Sequence, residues 1–121
     1  VKILLIEDEL LIQKSLTILI KKRGHNVTAK SSGIDAIDEI LNNHYDRIIC
    51  DLMLQDVSGF DVIEESKKKY SLYEIEKIFV IITAYSSDQV LKKAKAYGCR
   101  LLTKPFSDID EAINIFCNIE R

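Results

Sequence analysis

Five groups in this sequence have the types and spacing for chemistry. Glu7-Asp8 follows the apolar run Ile3 to Ile6, and Asp51 ends the run Ile48 to Cys50. Thr83-Ala84 follows Ile78 to Ile82, and Lys104-Pro105 follows Leu101-Leu102. If these runs are parallel strands of one sheet, all five groups reach its carboxyl edge, where open α/β sheets bind ligands. Like charges a few ångströms apart repel by roughly 4 kcal/mol per pair at an effective dielectric near 20, which pushes at least one carboxyl pKa upward. A small hard cation relieves that repulsion: Mg²⁺ (or Mn²⁺) takes one or two carboxylates, keeps several waters and accepts phosphate oxygens. Asp51 is then an oxygen nucleophile able to carry a phosphoryl group. The Thr83 hydroxyl can donate to that group and Lys104 can neutralise it. Each residue alone has an ordinary reading, as a turn former, a helix-terminus charge or a solvated lysine. Their joint placement at the ends of successive strands favours the chemistry.

The positioning elements are legible as alternating patterns. The apolar runs, with a weaker one around Val27 to Ala29, are short, partly β-branched and bounded by polar turns, as expected of strands buried on both faces of a parallel sheet. Between them lie helix-period segments. In 33–43, Ala36, Ile37, Ile40 and Leu41 share one face, with Ser32 and Asp35 reading as a capping box. Ser107 with Asp110 repeats that signal before Ala112, Ile113 and Phe116. Gly24 and Gly98 stand where helix C-terminal caps are expected. Five strand–helix pairs with right-handed crossovers imply an α/β, three-layer doubly wound architecture. The stretch "KYSLYEIEK" reads as one long connection before the fourth strand, with Tyr73 and Ile75 lying on the surface.

With 121 residues, 47% of them apolar and 30% charged, the chain has the length and composition of one globular domain, expected to span 1–121. A formal net charge of −2 gives no global attraction to nucleic acid or anionic membrane. No apolar run approaches the ~20 residues of a membrane span, and no signal peptide is read at the start. The chain begins at Val1, so preceding sequence is expected. Cys50, Cys99 and Cys117 are odd in number and set among apolar residues, which fits buried thiols in a reducing compartment. A cytoplasmic location follows as the expectation.

The motifs "ILLIEDE", "IICDLMLQDVSGFDVI", "VIITAY" and "LLTKPF", in this order, resemble the receiver domains of two-component response regulators (the CheY-like family) over essentially the whole chain. That resemblance implies a (βα)5 fold with flavodoxin-like strand order 2-1-3-4-5. It implies that Asp51 accepts a phosphoryl group from a phosphohistidine on a sensor histidine kinase or histidine phosphotransfer protein. It further implies metal ligation by Asp8, Asp51 and the main-chain carbonyl of Met53, with Glu7 acting through water. Thr83, Ala84 and Lys104 become the phosphoryl-contacting and switch residues, the Lys104–Pro105 bond becomes cis, and Gly59 serves the turn into the third helix. A domain of this kind regulates a downstream effector or its own output domain, assisting its own phosphotransfer without being an enzyme proper. Phosphorylation-dependent dimerisation belongs to the same expectation.

Three features depart from the family pattern. Gln55 stands where proline is usual, Leu101 occupies a position commonly aromatic, and the connection before the fourth strand is longer. Tyr85 is a candidate to take over the aromatic role, and Met53 with Tyr85 should obstruct a water attacking the phosphoryl group. On the first helix, read over 9–23, Ile12, Leu16, Leu19 and Ile20 face the core. Leu11 and Ile18, with Ser15 between them, either broaden that face or, as the resemblance suggests for Leu11 and Ser15, meet the phosphodonor. Lys92, Lys93 and Lys95, on the outer side of the helix carrying Val90, Leu91, Ala94 and Tyr97, read as a solvated face, not a nucleic-acid patch. A Mg²⁺-dependent aspartyl-phosphate phosphatase would want a second aspartate where Met53 stands, and a flavin module would not place Glu7-Asp8-Glu9 in its phosphate loop. A receiver working without phosphorylation is the remaining alternative.

Overall fold

Alternation along each buried strand sends successive side chains to opposite faces of a sheet, and two separate apolar clusters result. In the computed structural model, which describes residues 1–84 and 86–119, the strands are β1 (Lys2–Ile6), β2 (Asn26–Lys30), β3 (Arg47–Asp51), β4 (Phe79–Thr83) and β5 (Arg100–Thr103). They form one parallel sheet in the order β2-β1-β3-β4-β5. The helices are α1 (Leu10–Lys22), α2 (Gly33–Asn42), α3 (Gly59–Ser66), α4 (Leu72–Ile78), α5 (Asp88–Tyr97) and α6 (Ile109–Cys117). Leu4, Ile6, Ile48, Cys50 and Ile81 pack under α2, α3, α4 and α5 through Ile40, Val62, Ile75 and Ala94. Ile3, Leu5, Ile49, Val80 and Ile82 pack under α1 and α6 through Leu16, Ile20, Ile113 and Phe116. The three layers and the strand order are those expected.

The central strands β3 and β4 are buried at every residue, whereas the edge strands β2 and β5 are only partly so. That difference explains the weak apolar signal of β2. α2 starts at Ser32, whose side chain accepts from Asp35 N. Gly24 and Gly98 have φ of 88° and 72° at the ends of α1 and α5, the left-handed region that glycine enters without strain. Cys50 and Cys99 are buried and Cys117 is half-buried, all as free thiols.

The expected long connection is instead α4. Ser71 accepts from Glu74 N and the Glu74 side chain accepts from Ser71 N, a complete capping box that starts the helix. Ile75 lies in the core, not on the surface, while Tyr73 is exposed. Ile78 ends this helix and β4 begins at Phe79. α6 is capped by Asp108 accepting from Glu111 N, one residue later than the Ser107–Asp110 pairing. Leu11 and Ile18 are 83% and 56% exposed, so neither broadens the core face of α1.

Candidate functional site

Parallel register brings the strand ends level. Ile6 pairs with Cys50, Asp51 with Ile82, and Thr83 with Thr103. The next residue after β1, the last residues of β3 and β4, and the residue after β5 therefore share one edge. Glu7, Asp51, Thr83 and Lys104 are all buried there, and Asp8 is half-exposed. Carboxylate oxygens of Glu7, Asp8 and Asp51 lie within 4.8 Å of one another. Lys104 Nζ closes the group, donating to Glu7 Oε1 at 2.7 Å, Asp51 Oδ2 at 2.8 Å and Glu9 Oε1 at 3.3 Å. The Glu9 contact lay outside the sequence reading, since nothing in "EDE" tells which acid turns inward.

The charge balance is tight. Burial, and then the Asp51 carboxylate beside it, push Glu7 up to about 7, against the opposing pull of the Lys104 ammonium. For Lys104 burial disfavours the charged form, but the hydrogen bonds it donates to Asp51 and Glu7 outweigh this and hold the ammonium above its ordinary range. The site thus stores carboxylates that one cation only partly compensates. Oxygen donors, with the half-exposed Asp8 at the solvent side, suit a hard divalent cation that retains waters. Glu7 already spends Oε1 on Lys104 and accepts from Glu9 N at 3.3 Å through Oε2, an arrangement that fits an outer role.

Local structure fixes each group. Met53 N donates to Asp51 Oδ1 at 2.9 Å, orienting the carboxylate, while the Met53 side chain is 60% exposed. Lys104 N donates to Thr83 O at 2.8 Å, tying the lysine to the end of β4. The Lys104–Pro105 peptide is cis. Gly59 lets α3 run against β3: a Cβ there would stand 2.5 Å from Asp51 O and 2.8 Å from Leu52 Cα. Gln13 Nε2 donates to Glu7 O at 2.9 Å, steadying the loop after β1. Ala84 is exposed, and Leu101 is half-buried against the cluster under α5. Tyr85 lies outside the described residues. Beside Lys104 an apolar cavity of about 240 Å³ is lined by Leu11, Ile12, Ser15, Pro105, Phe106 and Ile109. No helix among the described residues is long and apolar enough to cross a membrane.

This edge, on this strand order, defines a class. Residues 3–115 match the response regulator receiver domain, and the chain belongs to that family, whose members are regulatory phosphoacceptor domains of two-component systems. Among curated proteins it is 29% identical over 119 residues to the probable transcriptional regulator ycf29 of Pyropia yezoensis, covering 98% of this chain and 52% of that protein. The chain thus spans about half the length of that relative. The receiver domain of the Francisella response regulator 1452 is 27% identical, with a TM-score of 0.79 over 95% of this chain and 94% of that one. The non-phosphorylated HemR receiver domain from Leptospira biflexa has a TM-score of 0.83 at 23% identity, covering 99% and 97%. The receiver domain of a sensor histidine kinase from Pseudomonas aeruginosa PAO1, with magnesium coordinated in its active-site cleft, has a TM-score of 0.77 at 22% identity, covering 95% of each chain. The last two likenesses carry the fold.

Proposed function

We propose that residues 1–121 work as one receiver domain, a switch set by phosphorylation of Asp51. The observation that carries this reading is the buried ion cluster, in which Lys104 spans Asp51 and Glu7 beside the half-exposed Asp8. In the transfer, an Asp51 carboxylate oxygen forms a bond to phosphorus as the phosphorus–nitrogen bond of a donor phosphohistidine breaks. The imidazole leaves with the electron pair and takes up a proton. Lys104 and the Thr83 hydroxyl receive the phosphoryl oxygens, and Met53 N holds the acceptor carboxylate in place. Asp8, Asp51 and the Met53 carbonyl would hold Mg²⁺ or Mn²⁺, with Glu7 reaching it through water; the ion supplies positive charge against the acids and the phosphoryl oxygens.

The donor, a sensor histidine kinase or histidine phosphotransfer protein, meets the apolar groove at Leu11 and Ser15. Repositioning of Lys104 and Thr83 around the phosphoryl group then biases a two-state equilibrium. That bias changes binding to a downstream effector or an output domain, including formation of a dimer. The domain acts in the cytoplasm, touching neither nucleic acid nor membrane itself. A phosphatase reading fails on Met53, exposed where a second aspartate would act. Leu101, in place of an aromatic switch residue, favours one second reading: an interaction module whose contacts ignore phosphorylation.

Incubation with Mg²⁺ and a small acyl-phosphate donor, followed by intact-mass measurement, tests the proposal. One added phosphoryl group is expected, absent in Asp51→Asn and in EDTA. No gain under conditions that label another receiver overturns it.

A further inference from the structure

The loop that follows Asp51 is fastened to a distant helix by a single side chain. The Asp56 carboxylate accepts from Ser32 Oγ at 2.7 Å and from Gly33 N, Ile34 N and Val57 N, each at 2.9 Å. Gly33 and Ile34 open α2, so Asp56 satisfies two of the orphan donors of that helix from outside it. Ser32 keeps only the third, from Asp35 N at 3.3 Å. The packing agrees with the hydrogen bonds. A Cβ on Gly33 would stand 2.4 Å from Val57 Cγ2 and 3.2 Å from Leu54 Cδ1, so the loop lies directly on the backbone of α2.

The same loop is pinned at its ends. Leu52 N donates to Ile82 O at 3.0 Å, Gly59 N to Leu52 O at 3.1 Å, and Ser58 caps α3. Between these pins stand Met53, whose N–H donates to Asp51 Oδ1, and Gln55; among the described residues Asp56 is the side chain seen to tie the middle of the loop to α2 by hydrogen bonds. We infer that Asp56 is a positioning residue for the phosphoacceptor site: its bonds to the start of α2 hold the loop so that the main chain at Met53 keeps its place beside Asp51. This inference rests on the receiver function proposed above. Charge-assisted bonds to backbone N–H groups are stronger than neutral ones, which suits a carboxylate to fixing a loop that has no proline at position 55.

Two readouts on the intact chain test the inference: Mn²⁺ affinity, from the loss of free-ion paramagnetic resonance, and the rate of phosphoryl uptake from an acyl phosphate. Asp56→Ala should weaken both by about tenfold, the lower range for supporting groups around a metal site. Asp56→Asn, which retains one acceptor oxygen, should fall between. Ser71→Ala, which removes the cap of α4 away from the site, controls for general loss of stability and should leave both readouts unchanged. Asp56→Ala with wild-type values, or Ser71→Ala with equal losses, overturns the inference. If Asp56→Ala does not fold, Asp56→Asn carries the test, and wild-type values in it overturn the inference equally. Failure of the wild type itself to bind Mn²⁺ or take up phosphoryl sinks the proposed function, and this inference with it.

Discussion

Lys104 Nζ lies 2.8 Å from Asp51 Oδ2 and 2.7 Å from Glu7 Oε1, so one ammonium from beyond β5 holds together acids delivered by β1 and β3. The contact is buried on all three sides, with side-chain exposures of 5% for Lys104, 0% for Glu7 and 2% for Asp51. Removing one partner of such a cluster leaves uncompensated charge in a poorly solvated place.

Lys104→Met should therefore lower stability in EDTA by about 3 kcal/mol, measured by urea denaturation. A divalent cation offers the carboxylates the same compensation as the ammonium. Saturating Mg²⁺ should thus stabilise the variant more than the wild type. Equal increments in the two proteins would show that the lysine and the cation do not serve the same charges.

Met53 exposes its side chain while its backbone N–H is committed to Asp51. An apolar side chain there neither orients nor activates water. Met53→Asn should shorten the lifetime of the phosphoryl group several-fold, followed as loss of the added mass after donor removal, without changing the fold. Loss at the wild-type rate, or slower, would contradict this.

Asp56 gives a pH signature. The Ile34 N–H first, then the Ser32 hydroxyl, hold its carboxyl well below the usual carboxylate range. In the unfolded chain an aspartate titrates near about 3.9. A depressed folded pKa means stability present above that value and lost as pH falls toward the folded pKa. The stability gap between wild type and Asp56→Asn should hold from pH 7 to about 5, then narrow below about 4. Urea midpoints across that range measure it, and a gap that widened in acid would contradict the bonding.

Much of this fold was legible because β1, β3 and β4 are buried on both faces and so appear as uninterrupted apolar runs. The acids at their ends stood out against those runs. α4 was not legible by periodicity, since Ile75 is its one buried residue. Its Ser71–Glu74 capping box was nevertheless present in "SLYE" and carries the start signal. The cap of α6 shifted because Ser107 and Asp108 are adjacent and each has an acid three residues on; Asp108 is the one that accepts. Asp56 and Glu9 were beyond sequence reasoning for another reason. The α2 donors to Asp56 and the Lys104 partner of Glu9 lie 22 or more positions away, and no local pattern encodes such a pairing.

Arg47 shows the same limit and supplies the remaining prediction. Arg47 opens the strand that ends in Asp51 and is only 7% exposed. Its Nε donates to Phe116 O at 3.2 Å, Nη2 to Asn118 O at 2.6 Å, and Nη1 to Lys77 O at 2.7 Å and Ile78 O at 3.4 Å. Those carbonyls end α6 and α4, where helices carry unpaired acceptors and partial negative charge. One planar fork thus caps two helices at the start of the strand that ends in Asp51. Arg47→Met keeps an unbranched stem but leaves the carbonyls without this donor, and should cost at least about 2 kcal/mol. Arg47→Lys should recover only part of that, because an ammonium is a compact point charge without the fork geometry. Amide hydrogen exchange should quicken at residues 115–119 in both variants while Mn²⁺ affinity stays unchanged, since the clamp and the acids occupy opposite ends of β3. Unaltered exchange there in Arg47→Met would remove the clamp from the account of this fold.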